Sequence, residues 1–430
     1  MTAPEPKCGP ATEAAPSREG PGETVPPVVE AAFVGPELVE AAYRPVEALA
    51  GSLLEAEAAA PDPGEALRRL VARLGQAGLL RLVVPGADGG RFSEVSFRAL
   101  SLARERLTRL SPLADLAFAM QGLGGHPLVL GATPAARDAY LPPLVAGTAV
   151  AAFALTEPEA GSDLSGIATR AEPVPGGDEV RLTGEKVWIS NAGLADVYTV
   201  FAVRGDADPG MPLKARLSAF VVPADAPGLT ARPMAVLGGH PIGRLTLDGV
   251  QVPAEGRLGA AGDGLRLALA TLGKFRVTVG AAAVGLAQRA LEETVQHVHA
   301  RRQFGAPLAA LPAVQLRLAE MASDLEASRL LVYRAAEAID RGAPREVLAR
   351  TGSMAKLVAT EAAQRVVDHA VQLHGGLGVA RGHPVARLYE EVRALRIYEG
   401  TTDVQKTLVA REVLKGTPPP PAGQPGPSDG

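Results

Sequence analysis

The spacing of apolar residues changes twice along this 430-residue chain, and this change constrains the fold more than any other feature of the sequence. Residues 28–150 have helical spacing, in which apolar side chains recur every three or four positions. Residues 151–256 are instead rich in strand formers. Helical spacing returns in residues 257–415, in long segments with short breaks, which is typical of an antiparallel bundle. Because helices and strands are segregated, the sequence predicts an α+β fold.

Short local signals predict where individual elements begin and end. Asp248-Gly249 lies between two apolar runs and suits a type I′ turn, so a β-hairpin is expected there. The glycine-rich stretch 122–125 predicts a break in the helical pattern. Thr402, with Gln405 three residues later, has the spacing of a capping box and predicts the start of the last helix.

Composition argues against several classes of function. The net charge of -4 and the pI near 6.1 favour neither a nucleic-acid partner nor an anionic membrane surface. No unbroken apolar run reaches the length of a membrane span. The single cysteine, Cys8, rules out a disulfide within the chain. No signal peptide is recognisable, so we expect a cytoplasmic protein. The Pro- and Gly-rich ends, 1–27 and 416–430, are predicted to be disordered tails.

Several familiar sites are not indicated by the motifs. The chain has no G-x-G-x-x-G loop after a strand, no Walker A loop and no G-x-S-x-G elbow. Its seven histidines are scattered, and His297 and His299 are two residues apart on a helix, so they point to different faces. We therefore expect no metal site.

The first motif with chemical potential is Phe153–Asp163, an apolar stretch that opens into a polar turn. Pro158 removes one N–H donor, whereas Gly161, Ser162 and Asp163 supply exposed N–H and hydroxyl groups. Such a turn can cradle an anion or the edge of a planar heteroaromatic ring. The alternative is a strand that simply ends in a Ser/Asp turn.

Three further motifs are ambiguous when each is taken alone. The stretch 184–191 holds the only tryptophan, Trp188, which could equally be a core anchor. The stretch 301–305 reads Arg-Arg-Gln-Phe-Gly and could be a solvated basic helix end. The stretch 372–378 could be an ordinary glycine helix stop.

Together with 397–405, these motifs resemble in order and spacing those of the acyl-CoA dehydrogenase family, over roughly residues 35–415. The resemblance implies an N-terminal helical domain, a middle β domain and a C-terminal four-helix bundle. The corresponding division of the chain is a tail at 1–27, helices at 28–150, the β domain at 151–256, the bundle at 257–415 and a tail at 416–430.

The resemblance also implies FAD as the cofactor. In the family, the adenosine-pyrophosphate half of FAD is held by a neighbouring subunit, so a homodimer or homotetramer is implied. The implied FAD-binding residues are Phe153, Leu155, Thr156, Ser162, Trp188, Ser190, Arg301, Phe304, Gln372, Gly375, Gly376, Thr401 and Asp403.

The resemblance implies that Glu399 is the catalytic base. The α-proton of a thioester is weakly acidic, and a carboxylate suits its removal if desolvation raises the carboxylate pKa. Alternatively, Glu399 could be an acidic residue that favours a helix N-terminus. A minority of the family places the base one residue before an arginine of an earlier helix, where this chain has Phe275, which takes no proton. The implied substrate contacts are Ser162, Arg276, Tyr398 and Gly400.

The expected reaction is conversion of an acyl-CoA to a trans-2-enoyl-CoA, with the β-hydrogen leaving as hydride to flavin N5. An electron-transfer flavoprotein is the expected electron acceptor. Two related outcomes stay open: a dehydrogenase acting on an acyl-carrier-protein thioester, and an acyl-CoA oxidase-type relative that uses the same flavin pocket. A non-catalytic helical scaffold is the alternative of a different class.

Overall fold

The computed structural model describes residues 34–176, 178–208 and 210–415, and the predicted tails lie outside these residues. A short helix, Pro36–Leu38, and a π-helical turn, Val39–Tyr43, come first. The helices that follow are α1 (Arg44–Ala58), α2 (Pro63–Gln76), α3 (Phe97–Leu110), α4 (Pro112–Gly131) and α5 (Pro134–Ala146).

Helix α2 shows how local sequence sets these elements. The Asp62 carboxylate caps it by accepting hydrogen bonds from the Gly64 and Glu65 amides at 2.8 and 3.0 Å. Its apolar stripe is fully buried, as the helical spacing predicts: Leu67, Leu70 and Leu74.

Helix α4 continues through the glycines at 122–125, so the predicted break is wrong. A Cβ at Gly122 would lie 2.7 Å from the Phe275 ring, and a Cβ at Gly124 would lie 2.8 Å from the Ala151 Cβ. The glycines therefore let neighbouring elements approach the helix closely. The helical backbone is retained because this packing outweighs the lower helix propensity of glycine.

The middle of the chain forms an eight-stranded mixed sheet. Its strands are β1 (Ala151–Ala154), β2 (Arg170–Pro173), β3 (Val180–Ser190), β4 (Val197–Arg204), β5 (Leu217–Pro223), β6 (Leu229–Met234), β7 (Ile242–Val252) and β8 (Arg257–Leu258). They are arranged in the order β6-β7-β3-β2-β4-β5-β8, with β1 paired to β4. Strands β1 and β2 run parallel to β4, and the other pairs are antiparallel.

The predicted hairpin at Asp248-Gly249 is wrong, because both residues lie inside the single strand β7. There the register between β3 and β7 shifts, so that one residue of β3 faces two of β7. Gly249 has φ 68°. The Asp-Gly pair therefore forms a β-bulge, which uses the same left-handed glycine as a turn without reversing the chain.

The C-terminal helices are α6 (Gly264–Ala300), α7 (Pro312–Asp340), α8 (Arg345–His374), α9 (Pro384–Leu395) and α10 (Thr402–Lys415). A small hairpin of β9 (Arg302–Gln303) and β10 (Ala306–Pro307) connects α6 to α7. Helix α6 packs against α3, α4, α7 and α8. The exact division at 28–150, 151–256 and 257–415 stays a prediction.

Helix α6 is, among the described residues, the one helix long and apolar enough to span a membrane by length and composition. No such segment is predicted from the sequence, because alanine and glycine, rather than an unbroken run of large apolar residues, supply much of the apolar character of this helix. In the structure, 67% of its most apolar window is buried inside the protein, as is usual for a core helix.

Candidate active site

The turn between α9 and α10 has an unusual backbone. Glu399 has φ 51° and is followed by Gly400 with φ 94°. A non-glycine residue in the left-handed region costs about 1–3 kcal/mol and persists where its surroundings hold it. The carboxylate of Glu399 is therefore presented by a turn that other residues must keep in place.

Two buried side chains hold this turn. The Lys356 ammonium of α8 donates a hydrogen bond of 2.7 Å to the Gly400 carbonyl. The Gln405 amide donates to the carbonyls of Glu399 and Gly400, each at 3.2 Å. Both side chains are fully buried. A Cβ at Gly400 would overlap the Gln405 Nε2, so this position requires glycine for space as well as for φ.

The predicted capping box at Thr402 is wrong, although the helix does begin there. The Thr401 hydroxyl accepts the hydrogen bond from the Val404 amide at 3.3 Å. The Thr402 hydroxyl instead donates to Glu361 at 2.6 Å. Because Gln405 is used to hold the turn, it is not available to cap the helix.

The Glu399 carboxyl group lies in a setting suited to a base. Its Oε2 is buried and has no hydrogen-bond partner among the described residues. Burial raises the pKa of Glu399, and the nearby cations of Arg104, Lys356 and Arg276 oppose that rise. A carboxylate with a raised pKa and a free oxygen can accept a proton from a bound molecule.

Arg276 braces the site from helix α6. Its Nη1 lies 3.3 Å from both the Gln405 Oε1 and the Ser353 Oγ, and its Nε donates to the Leu272 carbonyl at 3.1 Å. Burial lowers the Arg276 pKa, and the charge of Glu399 opposes this. The guanidinium therefore supports the side chain that holds the Glu399 turn.

Two other predicted residues near the turn, Tyr398 and Asp403, differ in how far their side chains are buried. Tyr398 is half-buried, and burial raises the pKa of its hydroxyl. Asp403 points outward, with its carboxylate 3.6 Å from the exposed Lys406 ammonium. The structure thus brings Tyr398 to Glu399 and leaves the Asp403 side chain at the surface.

A second group of predicted residues meets in the β domain. Phe153 ends β1 together with Ala154, and Leu155 and Thr156 follow directly. The Val187 amide donates to the Thr156 carbonyl at 2.9 Å, where the register of β3 shifts. At this shift Trp188 has a φ of 59° and is 55% exposed.

A buried ion pair fastens these two segments together. The Lys186 ammonium lies 2.7 Å from the Glu157 carboxylate and 3.1 Å from the Leu155 carbonyl. Burial lowers the Lys186 pKa to about 8, although the charge of Glu157 and its hydrogen bond to Lys186 act to raise that pKa. This pair is not predicted from the sequence, although an inward-facing lysine in a strand is a signal that could have indicated it.

Several β-domain residues present exposed groups that could hold a planar cofactor. A tryptophan normally buries most of its indole, yet Trp188 leaves more than half of it exposed. Ser190 is half-buried on the same strand, and Ser162 is exposed in the turn that follows β1. An exposed ring face, a nearby hydroxyl and a polar turn match the needs of an aromatic ring with an anionic arm.

A third group of predicted residues lies far from Glu399. Arg301 directly follows α6, and Phe304 has φ 52° and 90% exposure. The His297 and His374 rings stack at 4.2 Å, so the end of α6 and the end of α8 lie side by side. Three predicted residues are exposed there: Gln372 in α8, and Gly375 and Gly376 directly after it.

Helix geometry shows how far this group is from the base. Arg301 is 25 residues further along the chain than Arg276, which corresponds to about 37 Å along α6. Within one chain, Arg301 is therefore far from the Glu399 turn that Arg276 braces. Among the described residues, no group of three or more His, Cys, Asp or Glu side chains could hold a metal ion.

The β domain and α9 meet close to the Glu399 turn. The His240 Nε2 lies 2.6 Å from the Glu391 carboxylate. Although burial opposes it, the ion pair with Glu391 holds the His240 pKa above its ordinary value. A C-terminal helix and the β domain are therefore joined by a contact that depends on protonation.

Family models match three consecutive parts of the chain. The N-terminal domain of acyl-CoA dehydrogenase matches residues 42–148, its middle domain matches 152–250, and its C-terminal domain matches 262–414. The three matches follow the observed order of helices, strands and helices.

Individual proteins give the same result. A probable acyl-CoA dehydrogenase of Bacillus subtilis (strain 168) is 35% identical over 82% of this chain and 91% of its own length. The butyryl-CoA dehydrogenase structure from Megasphaera elsdenii has a TM-score of 0.79 at 32% identity, covering 88% of this chain and 97% of that one. An acyl-CoA dehydrogenase of Bacillus anthracis complexed with FAD has a TM-score of 0.79 at 30% identity, covering 89% and 68%. The chain belongs to the acyl-CoA dehydrogenase family of oxidoreductases.

Proposed function

We propose that this chain catalyses the α,β-dehydrogenation of an acyl-CoA, with Glu399 as the base that takes the α-proton. FAD, when bound, would supply the acceptor for the β-hydrogen, which leaves as hydride, so that a trans-2-enoyl thioester remains. The observation that carries the proposal is the buried Oε2 of Glu399, which has no partner among the described residues and belongs to a carboxyl group of raised pKa.

The rigid Glu399 turn supports this role. Lys356 and Gln405 hold the carbonyls of the turn, so the carboxylate is kept in one position without being neutralised by a direct hydrogen bond. The positive charges nearby limit how far burial can raise the Glu399 pKa. A base must be ionised before the reaction and protonated after it, and this balance of burial and charge serves both states.

We assign the flavin ring to the β-domain surface of Phe153, Leu155, Thr156, Trp188 and Ser190. Ser162 would bind the pyrophosphate and the thioester arm, and Thr401 would complete the site beside Glu399. The adenosine half would be held by Arg301, Phe304, Gln372, Gly375 and Gly376 of a neighbouring copy. The distance of about 37 Å along α6 supports this division between subunits, and hence a homodimer or homotetramer.

An electron-transfer flavoprotein is proposed as the acceptor of the electrons, and the cytoplasm as the location. Arg276, Tyr398 and Gly400 are proposed to line the substrate site, Gly400 by allowing a close approach to the turn. An exposed Asp403 is the weakest of the FAD contacts that the sequence predicts, because its side chain points to solvent.

An anaerobic flavin-bleaching assay tests this function. The purified holoenzyme should be yellow and should lose its colour when mixed with a suitable acyl-CoA. Because general-base catalysis contributes roughly 10²- to 10⁴-fold, Glu399→Gln should slow bleaching by about that factor. The exposed Glu390 of α9 provides the control, since Glu390→Gln should bleach like the wild type. An equal rate for Glu399→Gln, with normal FAD content, would refute the role of the base.

A further inference from the structure

A carboxylate on α8 contacts both ends of the loop that carries Glu399. The Oε1 of Glu361 accepts a hydrogen bond of 2.8 Å from the Arg396 Nε, and the same oxygen accepts one of 2.6 Å from the Thr402 hydroxyl. Arg396 directly follows α9, and Thr402 is the first residue of α10. These two residues lie three positions before and three positions after Glu399. One side chain of a different helix therefore links the two sides of the loop.

The backbone closes the loop at the same place. The Thr402 amide donates to the Arg396 carbonyl at 3.1 Å, so residues 397–401 form a short loop whose ends are joined. The side chain of Glu361 fastens this junction to α8, which packs against both α9 and α10. A loop joined only to itself could still move as a unit relative to the helices. The contact with Glu361 restricts that motion.

Lys356 and Glu361 hold different parts of the loop from the same helix. Lys356 donates to the Gly400 carbonyl, next to the base, whereas Glu361 binds the two ends of the loop. The two residues are five positions apart on α8, which corresponds to about 7.5 Å along the helix axis. Because the left-handed backbone of Glu399 costs free energy, a loop held only at Gly400 could relax by moving its ends. A second point of attachment opposes this relaxation.

The surroundings of Glu361 favour its ionised form. Burial acts to raise the pKa of Glu361, but the hydrogen bonds from Thr402 and Arg396 lower it below its ordinary value. The side chains of Glu361 and Arg396 are 25% and 30% exposed. Because solvent weakens the attraction between charges at such exposure, the two directed hydrogen bonds matter more than the negative charge itself.

We propose that Glu361 is a positioning residue for the catalytic base. By joining Arg396 to Thr402, it fixes the ends of the loop and keeps the base carboxylate where it can take the α-proton. Glu361 acts through the loop, and what the role requires is an acceptor oxygen at the right distance. This inference rests on the proposed dehydrogenation, since it concerns how the base of that reaction is held.

Two substitutions separate hydrogen bonding from charge. Glu361→Gln removes the charge but keeps an amide oxygen that can accept both hydrogen bonds. Glu361→Ala removes the acceptor. With saturating acyl-CoA, the single-turnover bleaching rate constant should fall about tenfold in Glu361→Ala, the size of one hydrogen bond to a charged group. Because neutral hydrogen bonds are roughly half as strong, Glu361→Gln should stay within about threefold of the wild type.

The readouts distinguish a displaced base from a damaged fold. Rates are compared at full FAD content, and the acyl-CoA concentration that gives half the maximal rate should change little, because Glu361 contacts none of the proposed substrate residues. Deuterium at the α-carbon should slow bleaching more in Glu361→Ala than in the wild type, because removal of the α-proton becomes the slower part of the reaction. A loss of stability alone would lower the thermal midpoint and leave this isotope effect unchanged.

Asp324→Ala is the matched control. Asp324 of α7 accepts two hydrogen bonds of 2.8 Å from Arg365 of α8, and its side chain is 32% exposed, close to the value for Glu361. The variant removes a comparable ion pair on the same helix without a contact to the loop. Its bleaching rate and its isotope effect should match those of the wild type.

Thr402→Val tests the junction from the other side. It removes one of the two donors to Glu361 and keeps a side chain of similar shape. Thr402→Val should slow bleaching less than Glu361→Ala does. Added to Glu361→Ala, it should cause no further slowing, because the bond that it removes is already lost. Additive effects of the two substitutions would contradict a shared junction.

Two outcomes would overturn the inference: a wild-type rate and isotope effect in FAD-loaded Glu361→Ala, or equal slowing in Glu361→Gln and Glu361→Ala. Failure of the proposed function would look different, because no acyl-CoA would then bleach the wild type. Even in that case, hydrogen exchange at the Thr402 amide should be faster in Glu361→Ala than in Asp324→Ala. Equal exchange rates would refute the junction itself.

Discussion

Replacing Lys356 with methionine removes the strongest hydrogen bond to the Glu399 turn while keeping a side chain of similar length. In the structure, the Lys356 ammonium is fully buried and donates to the Gly400 carbonyl at 2.7 Å. Burial lowers the Lys356 pKa to about 8, and the negative charge of Glu399 opposes this lowering. The positive charge of Lys356 in turn acts on the Glu399 carboxylate. The methionine variant therefore loses both an anchor of the turn and a cation near the base.

The expected size of the effect follows from the hydrogen bond. A hydrogen bond from a charged donor contributes roughly 1.5–3 kcal/mol. If that energy is what keeps the left-handed turn in its reactive form, the bleaching rate should fall by about tenfold to about 150-fold. Loss of the cation should also raise the pKa of Glu399 further. Because the base must be ionised, the pH below which the rate falls should then move upward.

The assay is single-turnover flavin bleaching across a pH series, with the dissociation constant of the thioester measured separately. The rate constant should fall, and the affinity for the thioester should change little, because Lys356 is not among the residues proposed to contact the substrate. The control is Lys406→Met, which removes an exposed lysine of α10. If Lys356→Met had normal FAD content, a wild-type rate and an unshifted pH profile, the account of how Glu399 is held would be wrong.

Two further predictions concern the surroundings of the turn. Gly400→Ala should lower the unfolding midpoint and slow bleaching by about 5- to 150-fold, which corresponds to roughly 1–3 kcal/mol of backbone strain. The reason is that φ is 94° and a Cβ would overlap Gln405. Wild-type values in both thermal unfolding and bleaching would contradict this. The His240–Glu391 pair raises the His240 pKa, so its contribution to stability is fully present below the unfolded value near pH 6.5 and is lost as the pH rises through the higher folded value. The gap in thermal midpoint between wild type and His240→Gln should therefore be wide in acid and narrow in alkali, and a constant gap would argue against the ion pair.

The parts of the fold that sequence predicts well are those decided by neighbours along the chain. The buried stripe of Leu67, Leu70 and Leu74 follows from helical spacing alone. The same reasoning fails at Gly122, where a ring from α6 determines that the helix continues. It fails again at Gly249, because the choice between a bulge and a turn depends on how many residues the facing strand supplies. Local propensity does not contain that information.

The candidate active site likewise has features that depend on neighbours along the chain and features that depend on distant residues. The Glu399 turn is a contiguous motif, so its position can be predicted from the residues around it, whereas its role as base stays a prediction. Lys356 is 44 residues away in sequence from the Gly400 carbonyl that it contacts. Arg104 of α3 contacts Asp115 of the next helix, α4. Buried charges within apolar helices were the only local sign of these contacts. Their partners become apparent only when the helices are packed.

The exposed indole of Trp188 has a practical consequence. It is the only tryptophan in the chain, so intrinsic fluorescence excited at the red edge of the tyrosine band comes from one known place. Since this indole lies on the surface assigned to the flavin ring, its emission should be quenched by energy transfer when that surface is occupied. The protein thus contains its own optical probe, and cofactor loading, loss and exchange can be followed in real time without a label.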